Sequence, residues 1–249
     1  MIPSHETVAR LEGLEEFLRT NIMGQDEVIP EVARLLTAAE LGLSDPRRPK
    51  ATFMFLGPTG VGKTELTNLF TAYLHDLEWP DQKLIRLDMS EFKTVESLKI
   101  LLGENIRERG VFGMEFDRTG GSGTLLLDEI EKAHRQVLDL LLQILDAARV
   151  TLASGETLDL SRYYVTMTSN IGAKALMETQ GLPRASVVRF ITEEAQSQLR
   201  PEIFARVGAV AVFNKLGYDA QRAIARHMLE KELARNSAEA KSQFLANMS

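Results

Sequence analysis

The chain contains no cysteine, which excludes disulfides, thiolate nucleophiles and cysteine-ligated metal sites. Its four histidines are scattered with no H-x-x-x-H spacing, so no dedicated zinc site is expected. No run approaches the ~20 consecutive apolar residues that a membrane helix requires, so no membrane association is expected. The opening stretch, MIPSHETVARLEGLEEFL, carries charges throughout. It lacks the apolar core of a signal peptide, and a cytoplasmic location is expected. Basic excess is missing as well, since 29 Lys and Arg against 35 Asp and Glu leave a net charge of -6. That balance, without any stripe of aromatic and basic residues, argues against nucleic acid as a partner. The sequence shows neither an internal repeat nor a low-complexity segment.

What is present suits a globular protein with a sizeable core: 249 residues, 44% hydrophobic and 26% charged, enough for one large or two modest domains. A helix is expected over 6–20, with Val8, Leu11, Leu14, Glu15 and Leu18 in phase. A second follows Gly24, with Val28, Val32, Leu35, Leu36 and Ala39 on one face. Strands are expected at 52–56, 83–89, 124–128, 163–169 and 209–213. The third, TLLLD, is continuously apolar, as a strand covered on both faces should be. Helical patterns separate most of these strands; over 132–148, Leu141, Ile144, Leu145 and Ala148 share a face. Alternation of this kind predicts an α/β fold with a central parallel five-stranded sheet flanked by helices. RVTLASGETLDL carries a Ser-Gly turn between two short β-like runs and reads as a surface hairpin. Beyond Phe213 the sequence turns polar and helical, so a large domain over 1–213 and the incomplete beginning of a helical lid over 214–249 are expected.

The stretch GPTGVGKTELTNLF lies between the first strand and a helix. Glycine is the costliest residue to order, so three in six positions need a reason. Residues 57–64 match G-x-x-x-x-G-K-[ST]: Gly57, Pro58, Thr59, Gly60, Val61, Gly62, Lys63 and Thr64. Such glycines let successive backbone N–H groups turn onto phosphate oxygens, and the following helix adds its positive end. Lys63 then reaches the β and γ phosphates, and the Thr64 hydroxyl ligates Mg²⁺. Glu65 follows in the first helical turn. The alternative is a chance glycine-rich turn, against which the flanking strand and helix speak. Downstream, TLLLDEIEKAH ends a strand in Asp128 and Glu129. Asp128 suits the Mg²⁺ shell and Glu129 the activation of water; the bland alternative is a pair of carboxylates capping the next helix.

NIMGQDEVIPEV, GPTGVGKTELT, LIRLDMSEF, TLLLDEIEKAH, LLLQILD, YVTMTSNIGA and LRPEIFARVGAVAVF together resemble the AAA+ ATPases. Within them the likeness is to the second nucleotide-binding module of Clp-type unfoldases and disaggregases, over roughly Leu14 to Leu233. The resemblance implies a P-loop NTPase sheet of order 5-1-4-3-2, a helical lid, Mg-ATP hydrolysis with ADP as product, and homo-oligomeric ring assembly as a hexamer acting on a protein substrate. It implies that Asn170 positions the attacking water beside Glu129, a turn-forming Asn being the alternative. It implies that Arg206 is a finger reaching the neighbouring subunit's γ-phosphate, a surface ion pair being the alternative. Ile22 and Met23 fall in the segment covering the adenine, and Ile224 on the first lid helix faces it too.

Two departures bear on the role. The family's Gly-Tyr-Val-Gly threading loop is replaced by RERGVFGMEFD, where Phe112 is expected on a solvent-facing loop made mobile by Gly110 and Gly113; the alternative is a core residue. The family's further helix before the third strand is expected to be lost or the loop specialised. The lid's Gly-Ala-Arg motif does not occur before Ser249. Residues 238–249, AEAKSQFLANMS, resemble the helix leading into the phospho-accepting histidine of sensor kinases, without any kinase motif. The leading reading is an ATPase that remodels protein; the second is a nucleotide-switched binding or assembly module with little hydrolysis, and the third a nucleic-acid remodeller, disfavoured by the charge.

Overall fold

The computed structural model describes residues 5–179 and 181–246. Its strands are β1 Ala51–Leu56, β2 Leu84–Asp88, β3 Gly123–Asp128, β4 Arg149–Thr151, β5 Thr157–Asp159, β6 Tyr163–Ser169 and β7 Ala209–Val212. Its helices are α1 His5–Glu12, α2 Leu14–Asn21, α3 Ile29–Glu40, α4 Lys63–Leu74, α5 Ser97–Leu102, α6 Gly110–Thr119, α7 Arg135–Ala147, α8 Ala175–Glu178, α9 Arg184–Gln198, α10 Pro201–Phe204 and α11 Tyr218–Ala246. The sheet order is β2-β3-β6-β1-β7, every neighbour parallel. With the separate antiparallel β4–β5 hairpin set aside, this is the expected 5-1-4-3-2 order. The chain forms two compact units, the second beginning at Leu216 and containing α11. The side chains of the last stretch, where the kinase-like likeness falls, lie outside the described residues.

The strands form where the chain has side chains for both faces. Every residue of β1 is buried, and Phe53, Met54, Phe55 and Leu56 expose nothing. Covering one such side chain stabilises the fold by about 1.5–3 kcal/mol, so the middle of the sheet anchors the unit. At the edge, β2 alternates, with Arg86 exposed between Ile85 and Leu87. The register pairs Leu56 with Ser169 and Asp88 with Asp128. The carboxyl ends of β1, β3 and β6 therefore meet on one rim, where open α/β sheets place ligands.

Three expectations are corrected. The helix over 6–20 is two helices, α1 and α2, divided at Gly13. Glu15 does not share the apolar face; it pairs with Arg19 in solvent. The third correction concerns Phe112. It lies in α6, not on a loop, and is 1% exposed within the core that includes Leu101, Leu152 and Tyr163. The glycines beside it serve close approach rather than mobility. A Cβ on Gly110 would stand 2.3 Å from the Leu101 carbonyl oxygen, and one on Gly113 2.9 Å from Leu152 Cδ1. The helix before the third strand is thus present, and the exposed turn of this region is 104–108, between α5 and α6.

Candidate functional site

Residues 57–62 leave β1 as a tight turn and enter α4. Gly57, Gly60 and Gly62 hold φ values of 138°, 76° and 103°, a region that side chains with a Cβ rarely adopt. At Gly57 space is decisive as well, because a Cβ would stand 2.7 Å from the Phe213 carbonyl oxygen. Val61 is buried, Pro58 and Thr64 are half-buried, and Thr59, Gly60 and Glu65 are exposed. Ile22 is buried, its Cδ1 3.8 Å from where a Cβ on Gly62 would stand, and Met23 beside it is half-buried. Both residues expected over the adenine therefore belong to the segment lying against this turn. Ile224 lies on α11 in the second unit, half-buried.

Lys63 is 7% exposed and folds back across the turn. Its Nζ donates to the carbonyl oxygens of Gly57 at 2.5 Å and Pro58 at 2.7 Å, and to Asn170 Oδ1 at 3.0 Å. Burial pushes this ammonium down to about 8, opposed by the nearby charges of Asp128, Glu131 and Glu129. A cation poised in a carbonyl-lined turn is the arrangement into which an anionic ligand fits, since phosphate oxygens can replace those carbonyls.

Asn170 joins this turn to the acidic pair. Its Oδ1 also accepts from Thr59 Oγ1 at 3.2 Å, and its Nδ2 donates to Glu129 Oε1 at 2.8 Å. Its backbone N–H donates to Glu131 Oε1 at 3.2 Å. Glu129 itself sits at φ 55°, ψ 53°. A left-handed conformation at a residue with a side chain costs on the order of 1–3 kcal/mol, and the surroundings must hold it. Here Thr168 on β6 does so: its Oγ1 accepts from the Glu129 N–H at 3.1 Å and its hydroxyl donates to Asp128 Oδ1 at 2.5 Å. The other Asp128 oxygen accepts from Arg86 Nη2 at 2.7 Å.

Arg206 follows α10. Its Nε donates to Asp146 Oδ1 on α7 at 2.6 Å and its Nη1 to the Glu202 carbonyl at 2.7 Å. The hydrogen bond with Asp146 holds its pKa above the ordinary value. The surface ion pair weighed for this arginine is therefore formed within the chain, while Lys63, Asn170 and Glu129 share one hydrogen-bonded chain. Thr168, Glu131, Arg86 and the buried Gln25 were not singled out by sequence. Thr168 comes beside Asp128 because both directly follow the Leu127–Met167 register pair, a juxtaposition that strand pairing and not the local sequence sets.

A family model described as AAA domain (Cdc48 subfamily) matches residues 48–210. The chain belongs to the AAA+ ATPases. It is a Clp-type AAA+ module. It is 38% identical over 235 residues to the chaperone protein ClpB of Leptolyngbya boryana, covering 91% of this chain and 27% of that relative. It is 39% identical over 242 residues to the ClpA homologue of Pyropia yezoensis, the ATP-binding subunit of an ATP-dependent Clp protease, covering 91% and 29%. Its fold matches the Saccharomyces cerevisiae Hsp104-ADP complex with a TM-score of 0.82 at 33% identity, over 94% of this chain and 41% of that one. A closed-state Hsp104 reconstruction with ATPγS and FITC casein matches with a TM-score of 0.81 at 33% identity, over 92% and 40%. The AAA+ chain thus spans about 30% of the curated relatives it matches.

Proposed function

We propose that this AAA+ module binds Mg-ATP in the 57–64 turn and hydrolyses it to ADP, driving the remodelling of a protein substrate within a hexameric ring. The observation that carries the reading is Asn170, whose side chain bonds Lys63 and Glu129 at once. A single amide thus fixes the distance between the phosphate-binding cation and the carboxylate that takes the proton from water.

The residues present fit the ion. Thr64 and Asp128 offer a hydroxyl and a carboxylate, the hard oxygen donors that Mg²⁺ prefers. Mg²⁺ generally keeps several waters and binds through one or two carboxylates together with substrate phosphates, so Thr64 and Asp128 would be the residues that hold it here. When bound, the ion neutralises charge on the β and γ phosphates. The chain's own residues do the rest. Lys63 exchanges the Gly57 and Pro58 carbonyls for phosphate oxygens. Glu129, aimed by Asn170, accepts the proton of the water whose oxygen bonds to the γ-phosphorus as the β–γ bridge breaks. Arg206, leaving Asp146, supplies positive charge to the site of an adjoining copy. The helical unit from Leu216 serves as the beginning of the lid, after a large domain ending near Phe213.

A second reading, a nucleotide-switched binding module, is favoured by one observation. The exposed turn at 104–108, ENIRE, carries no aromatic residue, and Phe112 is buried. Turnover separates the two. Glu129→Gln should bind ATP as the parent does yet lose about 10²–10⁴-fold in hydrolysis, the usual contribution of a general base. Hydrolysis at the parent rate would remove Glu129 from the role. Stimulation of the parent by unfolded casein supports the remodelling motor; its absence with slow turnover supports the switch.

A further inference from the structure

Gln25 is the one fully buried amide side chain among the described residues, at 0% exposure, and both its donors are used. Nε2 donates to the Val61 carbonyl in the phosphate turn at 3.2 Å and to the Asn214 carbonyl at 2.9 Å. Oε1 accepts from the Asn214 N–H at 2.9 Å. Gly24, at φ 75°, makes the turn that directs the chain here. Asn214 is held further: its Nδ2 donates to Glu27 Oε2 at 3.1 Å, and its Oδ1 accepts from Arg184 Nη1 at 2.6 Å. Arg184 closes the ring by pairing with Glu27 at 2.6 Å.

Two consequences follow from the geometry. In a planar trans peptide the C=O and N–H point in opposite directions. A donor fixed on the Val61 carbonyl therefore turns the Gly62 N–H to the opposite side, away from Gln25. That same amide makes two bonds to the backbone of Asn214, two residues beyond the end of β7 at Val212 and two before the second unit begins at Leu216. We propose that Gln25 is a positioning residue that aims the Gly62 N–H at the bound phosphate and makes the peptide at Asn214, the root of the helical unit, respond to occupancy of the 57–64 turn. The proposal rests on reading that turn as the phosphate site.

Hydrogen exchange on the parent and on Gln25→Met, with and without ADP and magnesium, tests it. Methionine keeps the length and volume of the side chain and removes every hydrogen bond. In the parent, ADP should slow exchange both at 57–64 and at 213–217. In Gln25→Met, ADP should still slow 57–64, bound about tenfold more weakly, the factor one hydrogen bond of ordinary net strength carries. Protection at 213–217 should be gone. A residue with a merely structural role would leave the ligand response at 213–217 in place, and that result overturns the proposal. So does a parent whose 213–217 segment ignores ADP while 57–64 responds, a measurement that needs no variant to fold. If ADP protects neither segment, the phosphate-site reading falls and takes the coupling with it. Should the methionine variant not fold, Gln25→Asn retains an amide but shortens its reach to both carbonyls, and the same loss at 213–217 is expected.

Discussion

Replacing Phe112 by Ala asks whether the segment between β2 and β3 is core or grip. The ring is 1% exposed in α6, and the neighbouring backbone leaves little room to collapse onto a void. Gly113 already brings α6 to 2.9 Å from Leu152 Cδ1, measured from the Cβ it lacks. Truncation of a buried phenylalanine in so fixed a frame costs about 3–5 kcal/mol. At about 2–4 °C per kcal/mol for a domain of this size, the melting temperature should fall by roughly 6–20 °C. Thermal denaturation followed by circular dichroism measures it, with Ile106→Ala as the control. Ile106 is 76% exposed, and a surface change of this kind stays within about 0.5 kcal/mol. If Phe112→Ala melts with the parent and loses only substrate stimulation of ATPase activity, the packing argument is refuted and the ring belongs to a working surface.

Arg206 acts in trans under the proposed mechanism, so specific activity should rise with protein concentration, and mixing Arg206→Ala with Lys63→Ala should restore activity at interfaces that hold one intact copy of each group. Activity linear in concentration without rescue speaks against the finger. Lys63 titrates near 8 in the free chain because burial disfavours its charge, and a bound phosphate raises that value by favouring the charged form. Nucleotide affinity should therefore be level below pH 8 and weaken above it, up to about tenfold per pH unit, as calorimetric titration across that range will show; an affinity unchanged above pH 8 contradicts the assignment. His75 is held down to about 4 from an ordinary 6.5, chiefly by burial and then by Lys83 and Lys50. Its neutral form is the stable one, so its contribution is complete above pH 6.5 and is lost as pH falls toward 4. Urea denaturation of His75→Gln should show a shallower loss of stability over that interval than the parent, and equal slopes would dismiss the effect.

The phosphate turn and the strand ends were legible because their signals are local. Gly57 to Thr64 are contiguous, and a run such as TLLLD announces a doubly covered strand in five letters. The error at Phe112 has a physical source. Glycines beside an aromatic ring read equally as freedom or as close approach, and only the neighbouring Leu101 carbonyl and Leu152 side chain decide.

Sequence alone determined the order of elements, the parallel sheet and the kind of chemistry, because hydrophobic period and glycine spacing act within one segment. Tertiary structure decided the joints. Asn170 meets Lys63 across 107 positions and Glu129 across 41; Gln25 meets Asn214 across 189. No local pattern encodes such pairs: the parallel register that brings the ends of β1, β3 and β6 to one rim creates the first two, and the full burial of Gln25 obliges its amide to find the third.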